Sequence, residues 1–163
     1  MTNSTQKLVQ LAIDAAQTAY APYSNFHVGT ALLLDTGEII TGSNFENASY
    51  GMTLCAETVA IAKANSDGKL RAIREIAVAG GLAGHVGKAA DPITPCGRCR
   101  QIIKEVADLT DTDIPVHCAH ATGYETFRLS ELLPHGFGPA NLKYSPTRVL
   151  RTIISTPPLA LTP

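Results

Sequence analysis

Three cysteines and one glutamate carry the chemistry this sequence could perform. Cys96 and Cys99 stand three apart in Thr94-Pro95-Cys96-Gly97-Arg98-Cys99-Arg100, straight after a proline. Cys55 lies upstream in Leu54-Cys55-Ala56-Glu57, with Glu57 two residues on. A lone Cys-x-x-Cys can be a redox pair, half of a metal site or two small packing residues. A redox pair usually opens the first helix after an early strand, whereas this pair sits past the midpoint of the chain. Three thiolates can hold Zn²⁺ with Zn–S near ~2.3 Å and leave the fourth tetrahedral position to water, as catalytic zinc sites do. Glu57 is not a ligand by spacing, but it could reach such a water and carry its protons. Cys118, in Val116-His117-Cys118-Ala119-His120, could close a four-ligand structural site, and His117 or His120 could add ligands. In so apolar a stretch a free cysteine is usually a packing residue.

For the thiols to meet, the elements carrying them must start on the same side of a sheet. Apolar residues at Leu8, Leu11, Ala12, Ala15, Ala16 and Ala19 predict a helix over 4–20. "HVGTALLLDTGEIITGSNF" reads as two strands joined at Asp35-Thr36-Gly37, followed by a turn-rich loop. A second helix is expected over 53–65, a strand at "IREIAVAGG", a Gly/Ala-rich loop over 81–95 and a third helix over 96–109. "IPVHCA" reads as a strand and "FRLSELLPHGFGP" as a short strand, a helical turn and a loop. Strands alternating with helices imply β-α-β units, in which successive helices begin on one side of an α/β sheet. Helix N-termini carry roughly +0.5 charge, which favours thiolates there. "GGLAGHVGKAA" has neither GxGxxG spacing nor a GK[ST] ending, so it is not read as a phosphate loop.

The whole chain narrows the choice of partner. With 163 residues, 45% apolar and 17% charged, it is expected to fold as a single domain over 1–163 rather than to stay disordered. No apolar run approaches the ~20 residues that span a bilayer, and Gln, Asp and Lys interrupt the N-terminal segment. A cytoplasmic protein without a membrane partner is expected. Net charge is −1 and the 13 Lys and Arg are scattered, Lys69, Arg71 and Arg74 forming the nearest approach to a cluster. A nucleic-acid binder needs a basic stripe to neutralise phosphates, so no nucleic-acid partner is expected. Four cysteines in such a chain point to metal or catalysis before disulfides.

Cys-Ala-Glu followed by Pro-Cys-x-x-Cys resembles the signature of the zinc nucleoside and nucleobase deaminases, in the variant with three cysteine ligands. The likeness extends to "AYAPYSNFHVGTALL", "GSNFENASYG", "CAETVAIAKA", "PCGRCRQ" and "ELLPHGFGP", in that order along the chain. Together these blocks resemble the small homotetrameric free-nucleoside cytidine deaminases. That resemblance implies a three-layer α/β sandwich with a mixed central sheet. It implies Zn²⁺ on Cys55, Cys96 and Cys99, with Glu57 taking a proton from the metal's water and returning it to the ring nitrogen and the departing ammonia. It implies conversion of cytidine and deoxycytidine to the uridine products, in pyrimidine salvage. Phe26 would pack on the base, and Ala56 would be a further substrate contact. Asn44 and Glu46 would take the ribose 3′-hydroxyl, a donor-and-acceptor pair for a group that is both. A carboxylate there repels a 3′-phosphate, which agrees with the missing basic patch. Tyr50 and Phe137 would complete neighbouring subunits' sites.

The departures from the family pattern concern charge. Many relatives with three thiolates have Arg directly after the glutamate, where this chain has Thr58. Three thiolates leave Zn²⁺ with formal charge −1, which opposes acidifying its water. Arg98, within Cys-Gly-Arg-Cys, is expected to supply the missing cation by hydrogen bonding to a ligand sulfur. Blasticidin-type deaminases also carry Cys-Gly-Arg-Cys but lack "NFENASYG", and are the lesser resemblance. A non-catalytic zinc-binding scaffold is the alternative outside enzymes. Residues 143–163 form an extension without an assigned role, ending in a loose "STPPLALTP".

Overall fold

The computed structural model describes residues 4–143. Its first helix, α1 (Ser4–Ala15), buries Leu8, Val9 and Ala12, one face at helical spacing. It tightens into a 3₁₀ turn at Ala16–Thr18 and stops short of Tyr20. Tyr20 is withdrawn because its N–H donates to Asn44 O at 3.1 Å and its carbonyl accepts from Glu46 N–H at 2.8 Å. Strands β1 (Phe26–Leu34) and β2 (Ile39–Ser43) then form the expected hairpin, with Gly37 at φ 83° supplying the left-handed turn residue. Helix α2 (Ala56–Ser66), β3 (Ile73–Leu82), α3 (Gly97–Thr110), β4 (Pro115–His120), β5 (Gly123–Arg128) and the single turn α4 (Leu129–Leu132) complete the order.

The sheet runs β2-β1-β3-β4-β5, with β3 and β4 parallel and the other neighbours antiparallel. It is the mixed sheet the resemblance implied. Because β1 is antiparallel to both its neighbours, β2 and β3 point the same way. Helix α2 therefore crosses over β1, and α3 joins β3 to β4. Side chains alternate between the faces. Leu32, Ile76, Val78, Val116 and Cys118 pack with Ala60, Ile61, Ile103 and Val106 of α2 and α3. Ala31, Ala77, Ala79 and Ala119 pack with Leu8, Val9 and Ala12 of α1. Two cores on opposite faces make three layers.

Close approach on both faces depends on glycine. A Cβ on Gly29 would lie 2.0 Å from Ala12 O of α1, and one on Gly42 would lie 2.6 Å from Ala60 N of α2. Gly42 thereby lets α2, which carries Glu57, lie directly on β2.

Element boundaries differ from expectation where tertiary hydrogen bonds compete with helix propensity. Helix α2 begins at Ala56 rather than at residue 53, because Leu54 exchanges two 2.9 Å backbone hydrogen bonds with Phe45. Strand β5 starts at Gly123, earlier than the apolar pattern suggests; it is an edge strand with Tyr124, Glu125 and Thr126 paired to β4 and little buried. The expected tail over 155–163 lies outside the described residues.

Candidate active site

The crossovers after β2 and β3, which run the same way, bring the starts of α2 and α3 together at one end of the strands. Cys55 is the N-cap of α2 and Cys96 the N-cap of α3, both with extended backbone, and Cys99 sits on the first turn of α3. Their Sγ atoms all lie within 4.8 Å of one another. Tetrahedral zinc with Zn–S of ~2.3 Å would set sulfurs roughly 3.8 Å apart, and Cys55 Sγ and Cys96 Sγ are 3.9 Å apart. The soft, three-sulfur donor set and its size fit Zn²⁺. Of these thiols, Cys55 is drawn toward the thiolate form. The hydrogen bond from Cys99 draws the Cys55 thiol down to about 6, against burial and the Glu57 charge, and Arg98 contributes in the same direction. Cys99 is correspondingly pushed up, chiefly by that bond and then by burial.

The competing ligand sets lose their geometry among the described residues. Among the described residues, Cys118 does not join the cluster; it is fully buried in β4, and burial pushes its thiol up to about 12. His117 is engaged by Thr126 Oγ1 at 2.8 Å and Glu75 Oε2 at 3.0 Å, and His120 Nδ1 by Thr122.

A cavity of about 220 Å³ opens on the thiols. Glu57, only 3% exposed, lines it beside Cys55, Cys96, Cys99 and Ala56. Burial raises the Glu57 carboxyl above the ordinary carboxylate range, against weaker lowering by its own backbone N–H and by Cys99. Phe26, Val28, Val78, Leu54 and Ile93 supply apolar walls, and Asn44, Thr53 and Thr94 the remaining polar ones. Larger grooves of about 410 and 600 Å³ elsewhere contain none of these groups, so chemistry rather than size selects the smaller cavity.

Asn44 and Glu46 are both tied to the start of β1. Asn44 Oδ1 accepts from Val28 N–H at 2.8 Å, and its Nδ2 donates to Phe26 O at 2.9 Å. Glu46, 8% exposed, accepts from Tyr23 N–H at 2.9 Å, Ser24 N–H at 3.2 Å and the Ser24 hydroxyl. The Ser24 hydroxyl, ahead of the backbone donors, holds the Glu46 carboxyl below its usual range. Both residues thus place Phe26, which the sequence alone does not show. Tyr50 and Phe137 stand outside the cavity, 73% and 57% exposed, and Glu46 is not among its walls.

The expected bond from Arg98 to a sulfur is replaced by a different contact. Its Nη1 donates to Thr53 O at 3.3 Å, because the exposed guanidinium at the start of α3 meets the extended backbone leading into α2 before it meets a thiol.

Comparison with known proteins places this arrangement. Residues 2–112 match the family described as "Cytidine and deoxycytidylate deaminase zinc-binding region", a span that includes all three thiols and Glu57. The chain is 44% identical over 133 residues to the cytidine deaminase of Halalkalibacterium halodurans, covering 81% of this chain and 92% of that one. This chain belongs to the cytidine and deoxycytidylate deaminase family. The crystal structure of the cytidine deaminase from Burkholderia pseudomallei superposes with a TM-score of 0.71 at 36% identity, over 84% of this chain and 100% of that one. The blasticidin-S deaminase of Bacillus cereus is 33% identical over 101 residues, covering 62% of this chain and 71% of that one. In this deaminase-family enzyme, the walls Val28, Thr53, Leu54, Val78, Ile93 and Thr94 are the site residues that sequence reasoning missed. The available signal for Ile93 and Thr94 was their place between Pro92 and Pro95, directly before Cys96.

Proposed function

We propose that this chain is a zinc-dependent deaminase that hydrolyses cytidine and deoxycytidine to uridine and deoxyuridine with release of ammonia. The observation that carries the reading is a buried carboxylate opening on the same apolar-walled cavity as three converging thiols. Cys55, Cys96 and Cys99 would hold Zn²⁺, which when bound supplies an acidified water and a Lewis acid. Glu57 does the proton work. Its carboxylate accepts one proton from the attacking water and delivers it to the pyrimidine ring nitrogen. It then accepts the remaining proton of the added hydroxyl and delivers it to the amino group, which leaves as ammonia as the C–N bond breaks and the carbonyl forms. One group serves both transfers because each delivery restores the carboxylate. Burial supports this role by bringing the carboxyl's affinity for protons closer to neutral pH.

Phe26 and Ala56 would bound the base. Asn44 retains an amide hydrogen and Glu46 retains lone pairs beyond their bonds to β1, and these are suited to the ribose 3′-hydroxyl. Tyr50 and Phe137 would complete the sites of neighbouring subunits in a homotetramer, a reading supported by their exposure and by the resemblance. A cytoplasmic place in pyrimidine salvage follows from the same resemblance, and no helix among the described residues is long and apolar enough to cross a membrane.

The test is incubation of zinc-loaded protein with cytidine, following uridine and ammonia. Absence of both overturns the reading, and faster turnover of blasticidin S in parallel transfers it to the modified nucleoside.

Arg98 would offset the charge of the thiolates through space rather than through a sulfur bond. An exposed charge contributes roughly 0.2–1 kcal/mol, so Arg98→Ala should lower zinc retention or turnover by about fivefold at most. The loss should shrink as salt is added, and wild-type retention of zinc and activity would remove the role.

A further inference from the structure

The cavity wall formed by Ile93 and Thr94, just ahead of Pro95, has no sheet or helix to hold it. Among the described residues, every hydrogen bond reaching 92–95 comes from one side chain, that of Arg100. Its Nε donates to Pro95 O at 2.7 Å and its Nη2 to Thr94 Oγ1 at 3.0 Å. The third arm of the fork, Nη1, donates to Leu132 O at 2.9 Å, the last residue of α4. The adjacent Gln101 donates Nε2 to Phe137 O at 2.7 Å. Arg100 is itself rooted at the metal centre, because its backbone N–H donates to Cys96 O at 2.9 Å.

We propose that Arg100 is a positioning residue for the deamination, its guanidinium clamping Thr94 of the cavity wall, together with the adjoining Pro95 carbonyl, to the start of the 132–137 arm. This rests on the function proposed above. Arg100 lines no part of the cavity and touches no reacting atom. It acts on the wall that faces the base and on the peptide entering Cys96, and so fixes the distance between the ring and the Glu57–thiol floor. A planar fork with three donors pointing to three separate acceptors suits this task, and an ammonium does not reproduce it. The carbonyls of Pro95 and Leu132 are half-buried acceptors, so removing the fork leaves both short of a donor and frees the wall to shift. Reactions confined to near-attack geometry lose about a hundredfold for a misplacement of roughly 1 Å. The loss should fall on kcat more than on KM, because Phe26 and the other apolar walls still hold the base.

The test compares Arg100→Ala, Arg100→Lys and Thr94→Val with wild type, expressing kcat per bound zinc so that a smaller folded fraction does not count. Arg100→Ala should lose about tenfold to a hundredfold in kcat, with KM changed much less. Arg100→Lys should recover only part of this, and Thr94→Val, which removes one arm alone, should fall between wild type and Arg100→Ala. Hydrogen exchange on metal-free protein provides a readout independent of activity. The residue-100 amide, bonded to Cys96 O, and the Leu133 and Gly136 amides, bonded to Leu129 O and Leu133 O, should lose protection together in Arg100→Ala. Should that variant fail to fold, Thr94→Val and Arg100→Lys carry the same comparison. Unchanged kcat per zinc in the folded variants, or faster exchange on one side of the clamp alone, overturns the proposal. A wild-type enzyme that leaves cytidine untouched instead defeats the functional reading beneath it.

Discussion

Glu57→Gln should abolish measurable turnover while the protein keeps its full zinc content and loses no thermal stability. The amide has the size and shape of the carboxyl but cannot accept the water's proton or carry it to the ring. General acid–base catalysis is worth about 10² to 10⁴ in rate, and a single group serving two successive transfers places the loss at the upper end. Glu57 is 3% exposed, and burial already raises its carboxyl. Replacing a desolvated acid with a neutral isostere therefore removes a cost of folding rather than adding one. Zinc content follows from the ligand set, which consists of sulfurs alone. Full activity in the variant would remove Glu57 from the proton path. Loss of zinc would make it a ligand, against the geometry.

The same residues explain why the site was so legible and where legibility stopped. Cys55, Glu57, Cys96 and Cys99 could be read because their types are chemically specific and helix starts are local features. The alternation of strands and helices then dictated which ends meet. The supporting contacts had no such local signature. Asn44 and Glu46 are recognisable as polar residues in a turn, but their bonds to Phe26, Val28, Tyr23 and Ser24 span 16 to 23 positions. Arg98 was legible as a charge and not as a contact, because its carbonyl partner at Thr53 carries no side-chain identity. Arg100 was passed over for the same reason, since two of its three acceptors are backbone oxygens. Strand β5 was obscured by polarity, because an edge strand need not alternate cleanly. Sequence patterns thus report what a side chain is, whereas these residues matter through the main chain they hold.

Cys99→Ala and Cys118→Ala should have opposite consequences although both sulfurs are fully buried. Cys99 lies in the thiol cluster with Cys55 and Cys96. Removing it leaves two sulfurs, one of them the exposed Cys96, and two ligands cannot enclose the metal. The expected result is a protein with substoichiometric zinc and turnover at background. Metal that binds only the folded state stabilises it by mass action, by about 2.7 kcal/mol when free metal is a hundredfold above its dissociation constant. A chelator should therefore lower the melting temperature of wild type and leave that of Cys99→Ala nearly unmoved. Cys118 packs in the core beneath α2 and α3, outside the cluster. Its replacement should cost about 1 kcal/mol of packing, retain zinc and activity, and keep the chelator response. The decisive comparison is thus the chelator-induced shift rather than the absolute melting temperature, since only the shift separates a ligand from a buried sulfur. Equal shifts in the two variants would break the link between the thiol cluster and the metal.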